Sequence, residues 1–382
     1  MDGTLTEGVV RIGGDARQRF HDAHGYGRPL DRSRIELAPV EAAHLLSRGD
    51  LDAVVDASGA GSESASTSAP SSEADADRLD FRRFLARTGT ALRFTVYKDL
   101  RDRGFYLSPA RPAWPGVDVG PGATAEGENG DASRVDFVVY PRGKGPWDDE
   151  VAHRIRVVGE REGVPAASLD GVVLAVVDED GELTYFETDA DPDVGADDGE
   201  AGDVGSDTDL PESVDADLLT DRVVCYAAAE PLYESRFYGQ RLFGRNADSG
   251  PLQLSLVEAA YLAQRGVLDV GPKAVVDRGH AVEGERFDRR LRVYAALRGR
   301  GVVPKSGFKF GADFRVYRAF TDLDALGHSA DLVRVVDPDH TVYPRDLSLD
   351  VRLAGGVRKR MVFARTAANG RIGWLSVARL TL

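Results

Sequence analysis

The feature that most constrains this chain is that it matches itself. Val40-Glu41-Ala42-Ala43-His44-Leu45 returns as Val257-Glu258-Ala259-Ala260-Tyr261-Leu262. Each copy runs on through Arg48-Gly49 and Leu51-Asp52, or Arg265-Gly266 and Leu268-Asp269. Upstream, Gly25-Tyr26-Gly27 parallels Phe237-Tyr238-Gly239. Downstream, Val96-Tyr97, Leu100-Arg101 and Arg103-Gly104 parallel Val293-Tyr294, Leu297-Arg298 and Arg300-Gly301. Asp136-Phe137-Val138-Val139-Tyr140 parallels Asp313-Phe314-Arg315-Val316-Tyr317. The order is the same in both copies, so one unit has been duplicated, and two copies do not imply a solenoid.

The first copy is longer because of insertions. Residues 56–79 are rich in Ser, Ala and acid, and residues 108–133 in Gly and Pro; both read as solvated loops. From 187 to 221 there are 14 acids and no base, the composition of a self-repelling tether. The expected division is therefore 1–55 and 80–186 for the first repeat, a linker at 187–221, and 222–280 and 281–382 for the second.

Local signals mix helix with strand, giving an α/β fold class of the mixed α+β kind. Ser255-Leu256-Val257-Glu258 has the form of a capping box, and Gly266 stops the helix. Pro39 and Gly49 bracket the matching helix of the first repeat. A second helix is expected over about 288–298, then a strand at 301–304 and a turn at Lys305-Ser306-Gly307. Phe314–Tyr317 reads as a strand with Arg315 and Tyr317 on one face. Strands follow at 332–336 and 361–364, and Ser348 is positioned to cap a short helix through Arg352.

The net charge of −15 argues against an RNA binder, because phosphate contacts need cations. Its distribution removes much of the conflict. Residues 281–382 hold 19 Arg plus Lys against 11 Asp plus Glu. Abundant acid with six lysines to 42 arginines points to a proteome adapted to high salt. The single cysteine, Cys225, excludes an intramolecular disulfide and a cysteine-rich zinc site. No apolar run approaches the roughly 18 residues of a membrane span, and the start lacks the features of a signal peptide, so a cytoplasmic protein is expected.

Three residues of the last quarter suit metal-free RNA cleavage: Tyr317, His328 in His328-Ser329-Ala330-Asp331, and Lys359 in Val357-Arg358-Lys359-Arg360. RNA brings its own nucleophile, the 2′-hydroxyl, so a base, an acid and a fixed cation suffice. A lysine in so arginine-rich a chain suggests a task for a compact point charge. No cofactor and no metal are expected, since no carboxylates cluster around Lys359.

The motifs Lys309-Phe310-Gly311-Ala312-Asp313-Phe314-Arg315-Val316-Tyr317, His328-Ser329, and Arg352 followed by Val357-Arg358-Lys359 resemble those of the archaeal tRNA-splicing (tRNA-intron) endonuclease family. The regions around Val257-Glu258-Ala259-Ala260 and Tyr238-Gly239 are similar to its amino-terminal subdomain. The resemblance covers nearly the whole chain apart from loops. It implies the two-repeat form, a homodimer imitating a tetramer. Each repeat would hold a small mixed α/β subdomain and a second one related in fold to restriction nucleases. It also implies cleavage of precursor tRNA at a bulge-helix-bulge, leaving a 2′,3′-cyclic phosphate and a 5′-hydroxyl. Tyr317 would be the base, His328 the acid and Lys359 the stabiliser of the phosphorane. The alternative is a non-catalytic RNA-binding or scaffold subunit; a metal-dependent nuclease is a further rival.

The first repeat keeps Tyr140 but aligns Glu150 with His328 and Asp170 with Lys359, so it reads as architectural. By the same resemblance, the acidic loop Asp178, Glu179 and Asp180 would dock into a basic cleft of the opposing unit; a polar hairpin turn is the plainer reading. Arg352 and Trp374 would hold a bulged base, with burial of Trp374 at an interface as the other possibility. The strand Trp374-Leu375-Ser376-Val377-Ala378 is expected to form a dimer contact.

Overall fold

The computed structural model describes residues 1–57, 78–117, 135–148, 150–195, 210–227, 229–244, 247, 249–320, 323 and 326–382. Most of the two expected loop insertions and the middle of the acidic run fall outside the described residues.

Each repeat begins with its own small sheet. In the first, strands Asp2–Thr6, Val9–Ile12, Ile35–Leu37 and Ala53–Asp56 form the centre of a six-stranded sheet. In the second, Ala216–Leu218, Arg222–Cys225, Leu252–Ser255 and Gln240–Arg241 form a four-stranded sheet. One device fastens both, and it explains the repeated Tyr-Gly and Val-Glu motifs. The Gly27 amide donates to Glu41 at 2.6 Å, and the Gly239 amide to Glu258 at 3.0 Å. Each glutamate also caps its own helix, through the Ala38 or the Ser255 amide. Both glycines have positive φ, and a Cβ would lie 2.2 Å from the Glu36 carbonyl oxygen or 2.6 Å from that of Gln253. Only glycine fits there.

The remaining strands form one ten-stranded sheet in which the two halves meet edge to edge. The second repeat contributes Val303–Ser306, Phe314–Tyr317, Asp331–Val336, Arg360–Thr366 and Ile372–Leu380. The first contributes Leu183–Asp189, Val173–Val177, His153–Gly159, Phe137–Val139 and Leu107–Pro109 in the mirrored order. The seam is antiparallel, pairing Tyr185 with Leu380 and Asp189 with Ser376. The carboxyl-terminal strand expected at a dimer contact thus finds its partner inside the same chain. Its exposed amides and carbonyls would otherwise be an open edge.

The acidic run is anchored at both ends. Leu183–Asp189 is strand with Thr188 buried, Val194 is 1% exposed, and Val214 is fully buried beside an isolated bridge to Leu268. Strand alternation lets Glu187 and Asp189 face solvent while their neighbours pack.

Two layers of helix sandwich the second half. Helix Arg286–Gly299 covers one face, burying Phe287, Val293 and Leu297 with Val333, Val335, Val362 and Trp374. Helix Pro344–Gly356 covers the other with Leu347, Val351 and Ala354, against Leu332, Met361, Phe363 and Leu375. This second helix starts at Pro344, four residues before the expected Ser348 cap, and absorbs Gly355 and Gly356. Burying Leu347 requires that extra turn. Lys305 is in strand, not turn: its ammonium meets Glu258 at 2.8 Å and the Gly239 carbonyl at 2.7 Å.

Candidate active site

Strand register gathers the site. Val316 pairs with Asp331, and Asp331 with Arg360. One residue further out, Tyr317, Ala330 and Lys359 therefore lie at the same end of three neighbouring strands. The bonds Ala330 N to Val316 O, 2.8 Å, and Arg360 N to Ala330 O, 3.1 Å, fix this alignment. Alternation puts Tyr317 and Lys359 on the same side of these strands; Tyr317 packs into the cluster that holds Phe237, and Lys359 lies 5.8 Å from the centre of the Phe310 ring.

Lys359 is placed from two directions. Its amide donates to the Ala354 carbonyl at 2.9 Å, closing the helix after Arg358, whose φ is 55°. Its ammonium donates to the Ser329 carbonyl at 2.5 Å, beside His328. Burial lowers the pKa of this ammonium, and repulsion from Arg315 lowers it further, against a smaller opposing pull from Asp331. His328 is exposed in the segment leading into strand Asp331–Val336. Tyr317 is 6% exposed, its ring packed edge-on against Phe237 at 5.7 Å with the Arg315 guanidinium 5.5 Å from its centre.

Behind this face sits a group the sequence reading missed. Asp331, 1% exposed, accepts from Arg360 Nε at 2.8 Å and from Arg318 Nε at 3.1 Å. Those arginines directly follow Lys359 and Tyr317, and Asp331 lies three residues after His328. One carboxylate thus ties together the three strand ends. Both guanidiniums also reach the Asp193 carbonyl, from the stretch between the repeats. The sequence signal was the placement of Arg immediately after both Tyr317 and Lys359.

The first repeat supplies the comparison. There Val139 pairs with His153, and Ile155 with Val173. Counting from these rungs, Glu150 occupies the position of His328 and Asp170 that of Lys359. Tyr140 is fully buried: its hydroxyl donates to the Pro115 carbonyl at 2.7 Å and bonds Ser108 Oγ at 2.8 Å. Gly116 closes over it, since a Cβ there would lie 2.5 Å from the phenol oxygen.

The expected base-holding pair is not brought together. Arg352 is exposed on helix Pro344–Gly356, whereas Trp374 is 6% exposed on the opposite face of the sheet. Arg300 lies over the Trp374 ring at 4.7 Å. The two cannot clamp one base within a protomer. The acidic loop is the tip of a hairpin. Asp178 accepts from the Asp180 and Glu182 amides at 3.0 and 2.8 Å, Glu179 pairs with Arg161 at 2.8 Å, and Asp180 is exposed.

A sequence model of the tRNA intron endonuclease catalytic C-terminal domain matches residues 287–374, and one of the N-terminal domain matches twice, at 1–64 and 214–276. The chain is similar to a tRNA-splicing endonuclease of Haloferax volcanii, 59% identical over 381 residues and 100% of both chains. Another, of Haloarcula marismortui, is 51% identical over 385 residues with the same coverage. One from Methanosarcina mazei is 32% identical over 404 residues, covering 98% of this chain and 97% of the other. The acidic composition accords with the haloarchaeal relatives. With an N-terminal domain in each half and the catalytic domain in the second, this chain belongs to the tRNA intron endonuclease family.

Proposed function

We propose that the protein excises introns from precursor tRNA, cutting at bulge-helix-bulge splice sites without metal and leaving 2′,3′-cyclic phosphate and 5′-hydroxyl ends. The observation that carries this reading is the common strand end of Tyr317, Ala330 and Lys359, with the Lys359 ammonium on the carbonyl next to His328. Tyr317 takes the proton of the 2′-hydroxyl as its oxygen bonds to phosphorus. His328 delivers a proton to the departing 5′-oxygen as the P–O bond breaks. Lys359 faces the charge that builds on the non-bridging oxygens. An imidazole with an ordinary pKa of about 6.5 suits proton transfer near neutrality. A preorganised cation at the phosphorane is electrostatic catalysis, in which losing one donor typically costs about 10²–10³ in rate. Both Asp331 oxygens are engaged by arginines, which leaves them poorly placed to ligate a metal.

The active unit is a homodimer. Leu349, Leu353 and Val357 form an exposed apolar stripe, 40–48% exposed, along helix Pro344–Gly356 and its cap. A stripe at this spacing needs cover, and the acidic hairpin tip complements the basic 281–382 region. Arg352 contacts RNA, with Arg300, exposed over Trp374, as the solvent-facing member of that stack. The protein works in the cytoplasm; among the described residues no helix is long and apolar enough to cross a membrane.

The test is incubation with a bulge-helix-bulge RNA in molar KCl plus chelator. Cleavage to cyclic phosphate is expected, falling about 10²–10⁴-fold in His328→Ala and lost in Tyr317→Phe. Binding without cleavage by the wild type would instead identify a scaffold subunit, and inhibition by chelator a metal-dependent nuclease.

A further inference from the structure

Arg315 precedes Tyr317 by two residues and shares its face of the sheet. Its Nε is buried and makes no hydrogen bond among the described residues. Neighbouring arginines are neutralised: Arg318 and Arg360 share Asp331, and Arg334 is held by Asp350 at 2.5 and 2.8 Å. Arg315 has no carboxylate partner among the described residues, and its charge disfavours the ammonium form of both Lys359 and Lys305. An unmet buried donor beside a like charge opposes folding.

The fold does not require a cation there. Arg315 pairs with Lys305 and Leu332; in the first repeat the matching rung places Val138 between Ser108 and Arg154. Val138 is 2% exposed. The copy whose phenol is sealed has an apolar side chain at this rung, and the copy with His328 and Lys359 has a guanidinium with no carboxylate partner among the described residues.

We propose that Arg315 is a substrate-binding residue of the cleavage site, gripping non-bridging oxygens of the RNA phosphodiester beside Lys359. The assignment rests on the proposed cleavage by Tyr317, His328 and Lys359. A guanidinium fork meets two phosphate oxygens at once, where an ammonium supplies a point charge. Bound phosphate gives the Nε–H an acceptor and offsets the repulsion between the two cations. It also sets the scissile group over the edge of the Tyr317 ring.

The experiment compares wild type, Arg315→Val and Arg315→Lys, as full-length chains in molar KCl. Valine is the side chain the first repeat accommodates at this rung. The probes are a bulge-helix-bulge RNA and the same RNA with a 2′-deoxynucleotide at the cut, which binds but is not cleaved. Arg315→Val is expected to lower the single-turnover rate at saturating RNA about 10²-fold or more. Its binding of the deoxy RNA should lose about one unit of the slope of log affinity against log salt. Arg315→Lys should recover the slope but not the full rate. Wild-type rate and slope in Arg315→Val, or a lowered melting temperature alone, overturns the assignment. If Arg315→Val fails to fold, Arg315→Lys decides, and an undiminished rate in it overturns the proposal. His328→Ala separates the two readings. If it loses about 10²-fold or more in rate while Arg315→Val cleaves normally, only the role of Arg315 falls; if it cleaves at the wild-type rate, the catalytic trio falls first.

Discussion

At the residue scale, the site depends on a carboxylate that faces away from it. Asp331 bonds the residues that follow Tyr317 and Lys359, so it controls the spacing of groups it does not touch. Asp331→Asn removes the charge that both guanidiniums share and loosens the strand ends. A displacement of about 1 Å in a reacting group costs about 10²-fold. The expected outcome is a 10–100-fold lower single-turnover rate at saturating RNA, by that same estimate, with affinity for an uncleavable RNA little changed and the pH profile keeping its shape. A drop in melting temperature without a drop in rate would reduce Asp331 to a structural residue. Tyr317 and Lys359 were legible in the sequence as chemical types at suitable spacing. Asp331 was not, because its role appears only when three strands fix which residues are neighbours.

At the scale of elements, the same capping glutamate appears twice in different electrostatic settings. Glu258 is buried, yet its pKa is lowered, because the Lys305 ammonium and the capping amides together outweigh burial. Glu41 has Trp114 Nε1 at 3.1 Å and, among the described residues, no ammonium partner, and burial pushes its pKa up to about 6 from an ordinary 4.5. A carboxyl whose folded pKa is raised contributes stability in its protonated form. That contribution is complete below about 4.5 and is lost as pH rises through about 6, a difference of about 2 kcal/mol. Denaturant unfolding at pH 7 and pH 5 in molar KCl, on wild type and Glu41→Gln, isolates it. Wild type should gain about 1–2 kcal/mol relative to the variant on acidification; parallel profiles would contradict the assignment. Sequence patterns gave the helix, its cap and the Tyr-Gly turn in both repeats, because those signals lie within a few residues. Lys305-Ser306-Gly307 looked like a turn because the groups that hold Lys305 in strand are 47 and 66 residues away.

At the scale of the whole molecule, the seam between Leu183–Asp189 and Ile372–Leu380 joins the half matched by the catalytic-domain model to the half whose phenol is sealed, in a single ten-stranded sheet. No periodicity in either strand tells which edge it will meet, which is why the sequence reading assigned the carboxyl-terminal strand to a dimer. With that edge closed, the proposed homodimer is left the surfaces that stay open: the Leu349, Leu353, Val357 stripe and the hairpin tip. Asp178 is committed to its own turn and Glu179 pairs with Arg161 at the surface, so Asp180, and Glu179 on exchanging that partner, are the carboxylates the loop can offer a second copy. Light scattering in molar KCl should give twice the 41.2 kDa of one chain. Leu353→Asp, at an exposed position, should leave the melting temperature near wild type, give a monomer, and lower cleavage of a bulge-helix-bulge RNA at least 10-fold, by analogy with interface anchors whose loss costs about 2 kcal/mol. Replacing Glu179 and Asp180 together by arginine should weaken the dimer more at lower salt, where screening is weaker. A monomeric wild type that cleaves both splice sites at full rate would show that one chain suffices, and the apolar stripe would then need another explanation.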